Sequence, residues 1–213
     1  MLSNTKKLFI NIFYLNAFLF SISIGVLYSY FIKNDVVGSF IYILVDPILL
    51  TAPLLLFKLK IVYESYTEDL KYGLKALTSL ILYINGLGTA FLFDAPFEYD
   101  QFVHFLTFTC LSFIVFILYR IIMVDFLKKG SSLRMNLSFI VLFIILLLGG
   151  MLFEVYQYLT DLLFKSYMFF DKDQIINNNI LTDIRANILG SAFGLALIKI
   201  YWRKLKSKLV ILR

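Results

Sequence analysis

The chain has 213 residues, of which 61% are hydrophobic and 16% are charged, and its mean hydropathy is +0.85. Soluble domains are about 45–50% apolar and about 25% charged, so a soluble fold, a disordered chain and a disulfide-rich secreted domain are excluded. The net charge of +6 comes from basic residues between and after apolar segments, where membrane topology explains them better than nucleic acid does. The single cysteine, Cys110, rules out an intrachain disulfide.

Six apolar segments are long enough to cross a bilayer as helices, which takes about 20 residues each. Their apolar runs are continuous rather than alternating, so the expected fold class is all-α, a polytopic transmembrane helix bundle that forms a single domain over residues 1–213. The first segment has too long an apolar core for a signal peptide and is expected to be a retained helix. The predicted spans are 9–32, 38–57, 73–93, 101–124, 137–158 and 180–201.

Lysine and arginine are distributed unevenly between the two sides of the predicted bundle. Sixteen of the 20 lie at the N-terminus, between spans 2 and 3, between spans 4 and 5, or at the C-terminal end. The other side carries four, which are Lys33, Lys165, Lys172 and Arg185. Because basic loops stay in the cytoplasm, we expect a multi-pass protein of the cell membrane with both termini cytoplasmic.

Span 2 contains one carboxylate, Asp46, which is followed by Pro47. At 1.5 Å per residue, Asp46 lies about 12 Å from the start of its helix. An isolated carboxylate in hydrocarbon costs several kcal/mol, so Asp46 is predicted to face protein. The carbonyl that Pro47 frees one turn earlier offers a shared hydration site.

Spans 4, 5 and 6 each carry a polar face at one end, with spacings of three, four or seven residues that put the members on one side of a helix. Because successive spans alternate in direction, all three faces fall in the outer leaflet. We therefore predict that they meet in one pocket open to the outer side, with the small face of Gly190 and Gly194 letting span 6 approach closely. The polar residues are Asp100 and His104, then Glu154, Gln157 and Asp161, then Asp183 and Asn187.

Ionisable groups inside spans are by default candidate functional residues. The expected catalytic residues are His104, Glu154 and Asp183, because a histidine beside a carboxylate can transfer protons near neutral pH. No cofactor is specified, but a divalent cation would find ligands among Asp100, His104, Glu154 and Asp183. The expected substrate-binding residues are Asp100, Gln157, Asp161 and Asn187.

The order of these residues resembles that in the VanZ-like membrane proteins and in the related YjdF-like family of bacterial inner-membrane proteins. The resemblance covers residues 83–198. It implies a helical integral membrane protein, with some relatives linked to glycopeptide antibiotic resistance, and supplies no established reaction. The motifs are Asp100-x-x-x-His104-Phe105, Glu154-x-x-Gln157 and Asp183-x-x-x-Asn187-x-x-Gly190.

Three functions stay open at this point. The first is an enzyme or receptor for an outer-leaflet amphiphile such as a lipid-linked envelope precursor; no serine or cysteine nucleophile motif and no HExxH helix is present to name a reaction. The second is a cation- or proton-coupled transporter, in which Asp46 would bind the cation or proton deeper in the membrane. The third is a non-catalytic binding or structural membrane protein. Membrane lipid is the expected partner and nucleic acid is not, and the oligomeric state is not indicated.

Overall fold

The computed structural model describes residues 3–27, 30, 48, 51, 54–55, 68–87, 99–127, 135–164 and 176–206. Side chains are described at 3–27, 30, 48, 51, 54–55, 71–87, 99–120, 137–159, 162–163 and 180–201. No β-strand occurs in these ranges, and the expected all-helical fold is confirmed for them. The helices are α1 (Asn4–Leu27), α2 (Glu68–Leu87), α3 (Tyr99–Leu127), α4 (Met135–Phe164) and α5 (Ile176–Lys206).

Four helices in the described part of the chain are long and apolar enough to cross a membrane. They are Asn4–Leu27, Tyr99–Arg120, Leu137–Leu159 and Ile180–Tyr201, and they correspond to the first, fourth, fifth and sixth predicted spans. The predicted span 73–93 overlaps α2, which begins with charged residues and is described only as far as Leu87. Most of the predicted span 38–57 lies outside the described residues, and so does Asp46.

The contacts of α3 with α4 and α5 define their relative directions. Phe105 lies against Gly190 and Thr109 lies against Gly194, so α3 and α5 run parallel. On α4 the order is reversed, because Gly150 approaches Phe108 and Glu154 approaches His104. The C-terminal half of α4 therefore lies beside the N-terminal ends of α3 and α5, which brings the polar ends of all three helices together.

The pairing of α3 with α5 is the most extensive in the described part of the chain, and small residues on α5 make it possible. A Cβ atom on Gly190 would collide with the backbone carbonyl of Phe105. One on Gly194 would lie 2.6 Å from the carbonyl oxygen of Thr109. Glycines four residues apart thus let the two backbones touch, which is how helices pack tightly where the surroundings are as apolar as their side chains.

Two hydroxyl groups of α3 add hydrogen bonds to this contact. The Thr109 hydroxyl donates to the carbonyl of Phe105 at 2.8 Å and to that of Gly190 at 3.2 Å. The Ser112 hydroxyl donates to the carbonyls of Phe108 at 2.8 Å and Ser191 at 3.4 Å. Each hydroxyl therefore bonds within its own helix and also reaches across to α5.

The helices α1 and α2 form the second large contact. Asn11 faces Lys75, and further along Phe20 faces Gly86, so these two helices are also parallel. The Tyr99 hydroxyl, at the start of α3, donates to the carbonyl of Ile84 at 3.0 Å and ties α2 to the bundle. The buried apolar core then joins α2 to α3, α4 and α5 through Leu74, Ile81, Phe108, Cys110, Ile114, Phe116, Ile117, Leu118, Leu142, Leu146, Leu195 and Ile198.

Candidate functional site

His104 is the centre of the polar ends of α3, α4 and α5. Asp100 lies in the first turn of α3, where the positive end of the helix dipole stabilises a carboxylate. His104 follows one turn later on the same face, and its Nε2 lies 3.7 Å from Oδ1 of Asp100. Its Nδ1 points the other way, 3.0 Å from Oδ1 of Asn187 and 3.9 Å from Oε1 of Glu154. Each ring nitrogen thus faces oxygen atoms.

The fourth member of this group is Asp183, one turn before Asn187 on α5. Asp100, His104 and Asp183 each place one ring nitrogen or carboxylate oxygen within 4.8 Å of those of the other two. Asn187 contacts the opposite side of the imidazole from Asp100, and Glu154 approaches from α4. We call these five residues the histidine–carboxylate cluster: Asp100, His104, Glu154, Asp183 and Asn187.

Most of the cluster is shielded from solvent. Glu154 is 4% exposed and Asp183 is 3% exposed. The side chain of His104 is 8% exposed, whereas that of Asp100 is 34% exposed. The cluster is therefore accessible mainly from the Asp100 side, at the start of α3.

The buried carboxylates have few partners. Among the described residues, neither oxygen of Glu154 and not Oδ1 of Asp183 has a hydrogen bond, and the same holds for Nδ2 of Asn187. No described lysine or arginine forms an ion pair with either carboxylate. A buried acceptor without a donor costs about 1–3 kcal/mol, and more when it is charged. Among the described residues these atoms lack donors, and a proton, a water molecule, a cation or a ligand would satisfy them.

The depth of the cluster follows from its positions in the candidate spans. Asp100 and His104 lie one and five residues after Tyr99, and Asp183 lies three residues after Ile180. Glu154 lies five residues before Leu159, which is about 7.5 Å along a helix. All the charged members thus lie at one end of the three spans, as their order in the sequence predicts.

Two of the expected substrate-binding residues, Gln157 and Asp161, lie on α4 beyond Glu154. Gln157 is one turn further along the helix and is partly buried. Asp161 belongs to α4 by its backbone, but its side chain lies outside the described part of the chain. Their roles in substrate binding stay predictions.

Gly150 is a site residue that the sequence analysis missed. A Cβ atom there would lie 3.1 Å from Cζ of Phe108 and 3.2 Å from Nδ2 of Asn187. The missing side chain makes room for the Asn187 amide between α4 and α3. The available signal was the spacing, since Gly150 precedes Glu154 by four residues and so lies on the same helix face.

The arrangement can do two kinds of chemistry. A buried imidazole with a carboxylate on each side can accept and release a proton. An imidazole nitrogen and two carboxylates with donor atoms within 4.8 Å of one another can also hold a divalent metal ion. In either case the proton or the metal ion becomes the partner of carboxylate oxygens that no described lysine or arginine contacts.

Comparison with known proteins reaches the family level. No curated protein and no solved structure matches this chain. The expected membrane family is supported, while the narrower VanZ-like or YjdF-like assignment stays a prediction. A family model described as "Predicted membrane protein (DUF2238)" matches residues 14–204, and the chain therefore belongs to that family of membrane proteins.

Proposed function

We propose that this protein binds an amphiphile of the outer leaflet through the histidine–carboxylate cluster and transfers a proton to or from its head group. The observation that carries the proposal is the position of His104. It is buried, it has oxygen atoms near both ring nitrogens, and it lies at the one end of three spans where Asp100 stays accessible. A lipid-linked envelope precursor is a substrate of the right amphiphilic form.

The outward orientation of the cluster is supported by the charges of the loops. The segment 128–134, which joins the other ends of α3 and α4, carries Lys128, Lys129 and Arg134. The segment 88–98, on the cluster side, carries Asp94 and Glu98 and no basic residue. Because basic loops stay in the cytoplasm, the cluster belongs at the outer surface, and the C-terminus at the inner one.

The six-span arrangement is supported by the register of α1 and α2. These helices are parallel, since Asn11 faces Lys75 and Phe20 faces Gly86. Two parallel crossings need one return crossing between them, and the predicted span 38–57 would supply it. The chain then crosses six times, and its N-terminus lies in the cytoplasm together with its C-terminus.

His104 is the proton-transfer group of the proposed reaction. The hydrogen bond between Nδ1 and Asn187 fixes the ring, with Glu154 3.9 Å from the same nitrogen, so that Nε2 faces Asp100. Glu154 stabilises the positive ring when Nε2 takes up a proton, as the acid partner of a catalytic histidine does. Asp183, which has a carboxylate oxygen within 4.8 Å of donor atoms of Asp100 and His104, positions a donor group of the substrate.

A proton-coupled transporter is less well supported. A proton relay across the membrane needs ionisable residues at successive depths. The stretches 105–119, 137–153 and 188–198 contain no Asp, Glu, His, Lys or Arg. The charged residues of α3, α4 and α5 therefore stop at the cluster, whereas binding at one surface requires nothing deeper.

Amphiphile capture in nanodiscs tests the proposal. The purified full chain is reconstituted with photo-crosslinkable phosphatidylethanolamine, phosphatidylglycerol and a polyprenyl diphosphate, and crosslinked lipid is measured by mass spectrometry. We expect one head group to be captured preferentially by the wild type, and capture to fall at least tenfold in His104→Gln and Glu154→Gln. Equal capture of all three lipids, or capture unchanged in both variants, would refute the proposal.

Ser138→Ala is the matched control for this experiment. Ser138 is a buried polar residue of α4, like Glu154, but it lies at the opposite end of that helix. Its hydroxyl has no hydrogen bond within the described residues. The control variant should capture the lipid as the wild type does. The pH dependence of capture by the wild type, and its loss in His104→Gln, then tests the proton-transfer step.

Reporter fusions test the orientation separately. Fusions after residues 129 and 173 should report opposite sides of the membrane, with residue 129 cytoplasmic. A fusion at the N-terminus should report the same side as residue 129. If residues 129 and 173 lie on the same side, the cluster cannot face the outer leaflet.

A further inference from the structure

We propose that Asp100, Nε2 of His104 and Asp183 form a binding site for a divalent transition-metal ion. Asn187 and Glu154 lie outside this ligand set and orient the imidazole. The inference shares residues with the proposed function, but an ion on Nε2 would occupy the lone pair that the proposed proton transfer uses, so the ion would act on the head group as a Lewis acid in place of that proton. It does not require that an amphiphile be bound or changed, so the two can fail separately.

The distances fit a site that closes on its ion by small side-chain movements. The donor atoms of Asp100, His104 and Asp183 lie within 4.8 Å of one another, and Nε2 of His104 is 3.7 Å from Oδ1 of Asp100. Ligands about 2.1 Å from a tetrahedral zinc ion are about 3.4 Å apart. Two of the ligands share a helix face, because Asp100 and His104 are one turn apart on α3, and α5 supplies the third.

The proton on the imidazole is on the side away from this ligand set. Oδ1 of Asn187 accepts a hydrogen bond from Nδ1 at 3.0 Å, and the Glu154 carboxylate at 3.9 Å favours a hydrogen on the same nitrogen. A proton on Nδ1 leaves a lone pair on Nε2, which faces Asp100. Metal-bound histidines almost always donate a hydrogen bond from the N–H of their second ring nitrogen to an oxygen atom, and this bond fixes the ring.

An independent observation also points to a cation. Asp183 is 97% buried, since its exposure is 3%, and its Oδ1 has no hydrogen bond among the described residues. Glu154, equally buried, has none on either oxygen. Three carboxyl groups surround one imidazole, and no described basic side chain pairs with them. A divalent ion would displace their protons as it binds and would neutralise the carboxylates that hold it.

The ligand types select among metals. A nitrogen and two carboxylate oxygens, with room for water or substrate, suit Zn²⁺ and Mn²⁺, whereas Ca²⁺ and Mg²⁺ prefer oxygen ligands alone. The 34% exposure of the Asp100 side chain leaves an approach for a fourth ligand. A phosphate or hydroxyl of a head group would then meet the ion from the accessible side.

Metal binding to the full chain tests the site. Protein purified without a polyhistidine tag is stripped with a chelator, reconstituted in nanodiscs of uncharged lipid, and titrated with Zn²⁺ against a chromophoric chelator. We expect one ion per wild-type chain and a rise in thermal unfolding midpoint on addition of Zn²⁺. Asp183→Asn and His104→Gln should weaken binding at least 100-fold, and Asn187→Ala by about 10–100-fold, the usual effect of losing an orienting partner.

Two further variants keep the result interpretable. Ser138→Ala should bind as the wild type does, and Glu154→Gln should weaken binding less than Asp183→Asn, because Glu154 is not a ligand. No stoichiometric binding by the wild type, or a Glu154→Gln effect as large as that of Asp183→Asn, would overturn the ligand set. A wild type that binds Zn²⁺ but captures no lipid selectively would refute the proposed function and leave the metal site standing.

Discussion

The contact between α1 and α2 and the contact between α3, α4 and α5 differ in how the charged groups at each contact are satisfied. In the first, Lys75 donates a hydrogen bond to Oδ1 of Asn11 at 2.8 Å, and its Nζ lies 5.6 Å from the ring centre of Tyr14 and 5.9 Å from that of Tyr72. In the second, Glu154 and Asp183 are almost fully buried and keep oxygen atoms without hydrogen bonds in the described part of the chain.

The two contacts distinguish a polar group that stabilises the fold from one that is a candidate for function. A cation over aromatic rings, with an amide acceptor, is satisfied by its own fold and stabilises it. A buried carboxylate without a donor destabilises the fold until a proton or ligand arrives. Lys75 thus belongs to the packing of α1 on α2, whereas Glu154 and Asp183 keep oxygen atoms that no described residue satisfies.

The largest expected effect comes from breaking the contact that holds the cluster together. Gly190→Ala would put a Cβ atom into the Phe105 carbonyl, so α5 would have to move away from α3. We expect the free energy of unfolding to fall by about 3 kcal/mol, as overpacking of a tight contact does. Thermal unfolding in detergent, followed by circular dichroism, measures the change.

Gly149→Ala is the control for this substitution. A Cβ atom on Gly149 has nothing within 4 Å, and alanine favours a helix over glycine by about 1 kcal/mol in water. Its stability should match or exceed that of the wild type. Equal loss in the two variants would mean that glycine at 190 is not required for close packing.

A smaller effect of the opposite sign is expected in the cluster. Glu154→Gln removes one of three crowded carboxylates while keeping the shape of the side chain. In metal-free protein we expect the free energy of unfolding to rise by about 1 kcal/mol, because an acidic group buried beside two other carboxyl groups is replaced by an amide that never ionises. Chemical denaturation after chelation measures it. A clear loss of stability would show that Glu154 is a structural group, as Lys75 is, and would remove the contrast between the two regions.

The smallest effect is expected at the contact of α1 with α2. Lys75→Met keeps the length of the side chain but removes the hydrogen bond to Asn11 and the attraction to the two rings. The free energy of unfolding should fall by about 1 kcal/mol or slightly less. A double-mutant cycle with Asn11→Leu should give a coupling energy with the sign of an attraction. Zero coupling would mean that the contact does not stabilise this pair.

Much of this arrangement could be predicted from residue order alone. Continuous apolar runs of about 20 residues require spanning helices, and four of the six predicted spans match apolar helices of sufficient length. A spacing of four residues puts Asp100 with His104, and Asp183 with Asn187, on one face, because a helix turns once in 3.6 residues. Alternating span direction then brings these faces to one end of the bundle.

Other features depend on how the helices pack. Sequence spacing cannot say that Nδ1 of His104 faces Asn187 while Nε2 faces Asp100, because ring orientation depends on atoms from three separate helices. Nor could it identify Gly150 as the space for the Asn187 amide. Whether Glu154 and Asp183 have a basic partner among the described residues likewise depends on the tertiary structure. Local chemistry determines which residues share a face, but only the packing of one helix on another decides which polar atoms find partners.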